Sequence, residues 1–104
     1  MRCLALAVTA VAITATQTTF AQRVDSSRAR NLAATCTGCH GTRGVSLGEI
    51  PSLAGMPKDD LVRKLQDFKS GAQPGTLMPQ LAKGYTDEQI ELIAGWFAAQ
   101  KSPR

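Results

Sequence analysis

Three stretches of the chain repeat apolar residues at the spacing of an α-helix, and no strand-like alternation is visible between them. The middle stretch is the clearest. Leu61, Leu65 and Phe68, with Val62 beside them, recur on one face after Pro57, which suits a first helical turn, until Gly71 stops the run. Asp59 and Asp60 near its start and Lys69 near its end match the helix dipole and read as a solvated face. The last stretch opens on a T-x-x-Q capping box, Thr86 and Gln89, with Asp87 and Glu88 at the positive end. Ile90, Ile93 and Phe97 then repeat along one face, Leu92 and Trp96 lie next to it, and the helix is expected to end near Gln100, before Pro103. A first helix is predicted from Ser26 or Ser27 to Cys36, with Asp25 or Ser26 as N-cap and a narrow stripe of Ala29 and Leu32. The fold class is therefore all-α: three main helices and loops in one small domain.

The residues ahead of that pattern read as an exported leader. Met1 and Arg2 give a positive start, Cys3 to Ala15 is an uncharged run, and Thr19-Phe20-Ala21 places small residues where a signal peptidase reads. Removal of residues 1–21 before Gln22 leaves an 83-residue domain, 22–104. A retained anchor would need about 20 apolar residues, and this run is shorter and diluted by threonines. Cys3 lies too near the start for lipidation and is read as one more apolar leader residue. Of the 12 Lys plus Arg, only Arg2 falls in the leader, so the domain carries +3 against its 8 acidic residues. The basic residues are interspersed with acids, without the cluster or aromatic ladder that nucleic acid would require. With Tyr85, Phe68, Trp96 and Phe97 as its aromatics, the domain has little material for a core. It needs a staple, and a large apolar cofactor would bury more surface than one disulfide.

Such a cofactor is indicated by Cys36-Thr37-Gly38-Cys39-His40, the C-x-x-C-H pattern of covalent haem attachment. On a helical turn residues three apart share a face, so both thiols can reach the two vinyl groups of one haem, and His40 follows as proximal iron ligand. A thioredoxin-like pair would sit at a strand-to-helix junction. Zinc would need a fourth ligand, and the domain has no further Cys or His. A simple disulfide leaves the histidine unexplained. Covalent haem c is the expected cofactor, one per chain.

His40 is the chain's single histidine, so the second axial ligand must be sought elsewhere. Met78 is the stronger candidate, in the loop Gly75-Thr76-Leu77-Met78-Pro79 between two predicted helices, where Pro79 stiffens the chain and Gly75 allows a sharp approach. Met56 reads as a packing residue, and an open distal position is the third possibility. A thioether ligand favours reduced iron and raises the potential. Pro51, in the glycine-punctuated stretch from Gly41 to Gly55, has a carbonyl that could accept from the outer ring nitrogen of His40; its alternative role is to stiffen the loop.

Taken together, the pattern resembles the class I cytochromes c over nearly all of Ser26 to Lys101. The resemblance implies crossed terminal helices, an exposed haem edge, thioethers at Cys36 and Cys39, axial ligands at His40 and Met78, and the Pro51 carbonyl on the histidine. Many members have a glycine where the terminal helices touch; here no glycine lies between Ala21 and Cys36, so Ala29 or Ala33 must serve. More narrowly, CTGCHGTRGVS, IPSLAG, LQDFKSGA and MPQLAKGYTDEQIELIAGWFA resemble the cytochrome subunits of flavocytochrome c sulfide dehydrogenases, and to a similar degree the free small monohaem cytochromes of bacteria. The first likeness implies a periplasmic electron-transfer subunit, not an enzyme on its own, whose partner is a flavoprotein. The second implies a diffusing carrier between periplasmic redox proteins. A gas-binding or peroxidase-like haem protein would need the open distal position. The surface around Thr37, Gly38 and the Met78 loop is where a redox partner is expected to dock.

Overall fold

The computed structural model describes the backbone of residues 15–103 and the side chains of residues 20–103. Residues 1–14, with Cys3 and most of the expected leader, lie outside the described part. Within it the chain is helical and has no strand.

Helix α1 spans Ala15–Ala33 and so starts well before Ser26, where the sequence had suggested a cap. No glycine or proline interrupts this stretch. Ser26, instead of capping, donates its hydroxyl back to the Arg23 carbonyl at 3.0 Å, the bond a serine makes inside a helix. A 3₁₀ turn, Ala34–Cys36, leads into the one-turn helix α2, Thr37–His40. Helix α3 covers Lys58–Ser70; Pro57 stands just outside it as N-cap, and Gly71 closes it in the left-handed conformation at φ 86°. A short helix α4, Met78–Ala82, occupies part of what the sequence suggested was a loop, with proline in its first turn. Helix α5, Asp87–Ala98, begins at the full capping box: Gln89 N–H donates to Thr86 Oγ1 at 3.2 Å and Thr86 N–H to Gln89 Oε1 at 2.9 Å.

Helix α5 is the centre of the packing. Helices α1 and α3 both lie against it, and α4 lies against α3. Ala33, Leu61, Ile93, Ala94 and Phe97 form the core cluster, and Ala33 and Ala94 are completely buried. Ala29 is buried as well, so alanines line the α1 surface where a glycine would otherwise allow close approach. Full burial of Ile90, Ile93 and Phe97 is worth about 1.5–3 kcal/mol each. Exposed ion pairs join the same helices: Arg28 to Glu88 at 3.1 Å, Lys58 to Glu91 at 2.8 Å, and Lys69 to Asp87 at 2.9 Å. Such pairs orient more than they stabilise. Hydrogen bonds from the Gln66 amide and then from Lys69 hold the Asp87 carboxyl below its usual range.

The segment between α2 and α3 is fastened to the end of α5. Gly44 lies under Phe97 so closely that a Cβ there would stand 2.6 Å from the ring and 2.9 Å from Ala54 N, and its φ is 79°. The Gly44 carbonyl accepts from Leu53 N–H at 2.8 Å and Ala54 N–H at 3.1 Å, and Gly55 N–H donates to the Phe97 carbonyl at 3.0 Å. Gly44→Ala combines a left-handed strain with an overpacked ring contact and is expected to destabilise the protein by about 2–5 kcal/mol, read from the urea unfolding midpoint.

Candidate functional site

Cys36, Cys39 and His40 lie on one nearly continuous helical trace. Ala33, Cys36 and Thr37 all have right-handed helical dihedrals, so α1 passes through the 3₁₀ turn into α2 without a reversal. Two hydroxyls bond back to carbonyls three residues earlier across this change of pitch: Thr35 donates to Leu32 O at 3.2 Å and Thr37 to Ala34 O at 2.7 Å, where the Thr37 N–H donates as well. Cys36 and Cys39 are both free thiols, the first half-buried against the core and the second exposed. Burial pushes the Cys36 thiol up, its hydrogen bond with Thr35 opposes this, and the neighbouring Cys39 adds to the rise.

His40 ends α2 with its side chain buried. Gly41 follows at φ 88°, in a turn so tight that a Cβ would run into the Val45 carbonyl. The chain therefore reverses immediately after the histidine and returns past it. On the return, Ser46 N–H donates to Ser52 Oγ at 2.8 Å, and the Pro51 carbonyl comes to 2.7 Å from His40 Nδ1. A carbonyl only accepts, so Nδ1 is the donor, and in the neutral ring this leaves the lone pair on Nε2. That is the tautomer of a histidine that binds metal through Nε2.

The two methionines lie in different settings. Met56 packs against the core cluster. Met78 is the first residue of α4, partly buried, between Leu77, which is 56% exposed, and Pro79. Gly75 lets the preceding chain lie close to Pro79 and Phe68: a Cβ there would meet Pro79 Cδ at 3.2 Å and Phe68 Cε1 at 3.6 Å. Two contributors went unnoticed in the sequence, Ser52 and the Thr35–Tyr85 pair, whose hydroxyls meet at 2.6 Å. Ser52 and Tyr85 lie inside stretches that carry the family likeness, but neither side chain has a chemistry that names its partner, and the second contact joins residues 50 apart.

Comparison with known proteins decides what this arrangement belongs to. No protein-family model matches the chain. It is 46% identical over 74 residues to the cytochrome subunit of sulfide dehydrogenase from Chlorobaculum tepidum, covering 71% of this chain and 67% of the relative. It is 32% identical to cytochrome c-554(548) of Halomonas halodenitrificans, over 74% of this chain and 98% of the relative. With cytochrome c-553 of Helicobacter pylori the identity is 31%, over 79% and 88%. The chain belongs to the class I c-type cytochromes. Electron transfer is the function, and haem c the cofactor, that this membership carries.

The residues of this cytochrome fit a haem. Among the described residues only Leu61, Ile90, Ile93 and Phe97 are buried side chains larger than alanine, apart from His40, a small core for a domain of this length. At the same time Ile50, Leu77 and Leu81, beside Pro51 and Met78, are 44%, 56% and 46% exposed. Apolar surface on the segments that flank the candidate ligands, two free thiols three residues apart and a histidine in the ligating tautomer form a consistent donor set. No helix of the described residues is long and apolar enough to cross a membrane.

Because the acceptor for His40 is a main-chain oxygen, the proline ring is not needed for the bond. Pro51→Ala is expected to keep a slowly exchanging, hydrogen-bonded His40 Nδ1 proton in the NMR spectrum while losing about 0.4–1 kcal/mol of stability through a looser unfolded chain. Disappearance of that proton signal would assign the orientation of His40 to the ring itself.

Proposed function

We propose that this cytochrome is exported, loses residues 1–21 and works in the periplasm as a one-haem electron-transfer protein. Cys36 and Cys39 would hold the haem by thioethers, with His40 and Met78 as its axial iron ligands. The observation that carries this reading is the 2.7 Å contact between His40 Nδ1 and the Pro51 carbonyl. When bound, the haem supplies a one-electron couple. The protein's part is positional: the Pro51 carbonyl orients the imidazole and raises the donor strength of Nε2. Two thioether positions on one helical face prevent the group from leaving or turning. A soft Met78 sulfur favours the reduced state, which suits an acceptor. Held by both His40 and Met78, the iron would need no exchange of ligand to change oxidation state, and the protein's role would be electron transfer without catalysis of its own.

For the partner, the 46% identity to a sulfide dehydrogenase cytochrome subunit supports a role as the haem subunit that takes electrons from a sulfide-oxidising flavoprotein. The small exposed residues at Gly38 and the partly exposed Met78 segment would form the docking face, by contact more than by charge steering. A second reading, a freely diffusing carrier, is favoured by the near-complete coverage of cytochrome c-554(548).

Met78→Ala is expected to leave haem attached and let the reduced protein bind carbon monoxide readily at neutral pH, where the unaltered protein does not; an unchanged visible spectrum in the variant would remove Met78 from the ligand set. Purification from the native source separates the two partner readings. Co-elution with a flavoprotein that reduces the haem on addition of sulfide selects the subunit, and elution as a lone cytochrome selects the carrier.

A further inference from the structure

The two candidate axial ligands sit on separate parts of the chain, and one hydrogen bond ties those parts together. His40 belongs to the segment 34–56, from the 3₁₀ turn to the start of α3. Met78 belongs to 75–86, which contains α4 and the turn into α5. Among the described residues, the hydrogen bond between Thr35 Oγ1 and Tyr85 OH, at 2.6 Å, is the one that connects these two segments. Either hydroxyl can donate in this contact; where the single Thr35 proton is on the Leu32 carbonyl, 3.2 Å away, Tyr85 O–H donates to Thr35.

Both ends of this link are well anchored. Tyr85 packs against the core cluster, its N–H donates to the Ala82 carbonyl at 3.2 Å at the end of α4, and the next residue is the N-cap of α5. Thr35 immediately precedes Cys36, and its oxygen lies 4.0 Å from that sulfur. The hydroxyls thus join the start of the C-x-x-C-H segment to the far end of the helix that Met78 begins.

We propose that Tyr85 is a positioning residue: its bond to Thr35 holds the α4 segment against the haem-attachment segment and thereby keeps Met78 on the iron. This rests on the His40/Met78 ligand reading. On this proposal the Met78 sulfur leaves with a swing of its segment, and the Tyr85–Thr35 bond breaks in that movement. The bond then contributes its net strength to retention of the ligand. Thr35 is exposed and water competes for its oxygen, so the contribution falls in the lower part of the range for neutral hydrogen bonds, about a threefold change in the population of the ligand-free state.

The test uses the complete haem-loaded protein and reads carbon monoxide binding to its reduced form, which is limited by how often the methionine is off. Tyr85→Phe and Thr35→Val are each expected to speed binding about threefold at unchanged haem content. The double variant is expected to match either single one, as partners in one bond must. Thr35→Ser, which keeps the hydroxyl, is expected to behave as the parent. A Tyr85→Phe protein with a lowered unfolding midpoint but an unchanged carbon monoxide rate would show a merely structural bond and overturn the proposal. Met78→Ala is the control that separates the two levels. If it binds carbon monoxide no faster than the parent, the ligand reading itself fails and the positioning role falls with it. If it binds fast, and Tyr85→Phe adds nothing to it, the effect of Tyr85 runs through Met78.

Discussion

Phe97 is the side chain on which the rest of the structure depends. It is 1% exposed in the cluster where α1, α3 and α5 meet, and its ring also covers Gly44 in the loop that follows the C-x-x-C-H segment. Its carbonyl accepts from Gly55 at the other end of that loop. One residue therefore binds the helical frame to both ends of the return segment between His40 and α3. Only with those ends held can the Pro51 carbonyl lie on the histidine ring. A glycine at 44 is required for the same reason, since nothing with a Cβ fits beneath the ring.

The frame itself is slight. Among the described residues, five of the nine buried apolar ones are alanines, and the remaining four supply most of the hydrophobic stabilisation. Small residues let α1 and α5 approach closely but add little buried area. Meanwhile Ile50, Leu77 and Leu81 hold apolar surface outward near the candidate ligands. A domain built in this way gains much of its buried surface from a bound group, so the cofactor of a class I cytochrome c is a structural component as well as a redox centre. The ligand segments are correspondingly thinly connected: α4 is five residues long, and a pair of hydroxyls links its far end to the attachment segment.

Much of this was legible in the sequence. The C-x-x-C-H pattern states its chemistry in five consecutive residues, because two thiols and an imidazole at that spacing need only a helical turn to share a face. The Thr86–Gln89 box and the apolar repeats of α3 and α5 are local as well, and those helices are where the pattern places them. Local signals also misled. Asp25 and Ser26 have the chemistry of a helix cap, yet nothing upstream breaks the helix, so it runs on to Ala15. Met78 and Pro79 looked like a loop although proline is at ease in a first helical turn.

What the sequence by itself determined is the C-x-x-C-H signature, the helical class and the termini of its stronger helices, since each rests on contacts within a few residues. Tertiary structure decided which distant groups meet: the carbonyl of Pro51, 11 residues on, with His40, and the hydroxyl of Tyr85, 50 residues on, with Thr35. The first contact had a pointer in the proline of the return loop, while the second had none, because a tyrosine hydroxyl has no preferred partner until the packing of its ring aims it. Both contacts exist because α5, through Phe97 and the turn before Thr86, sets where the two loops end.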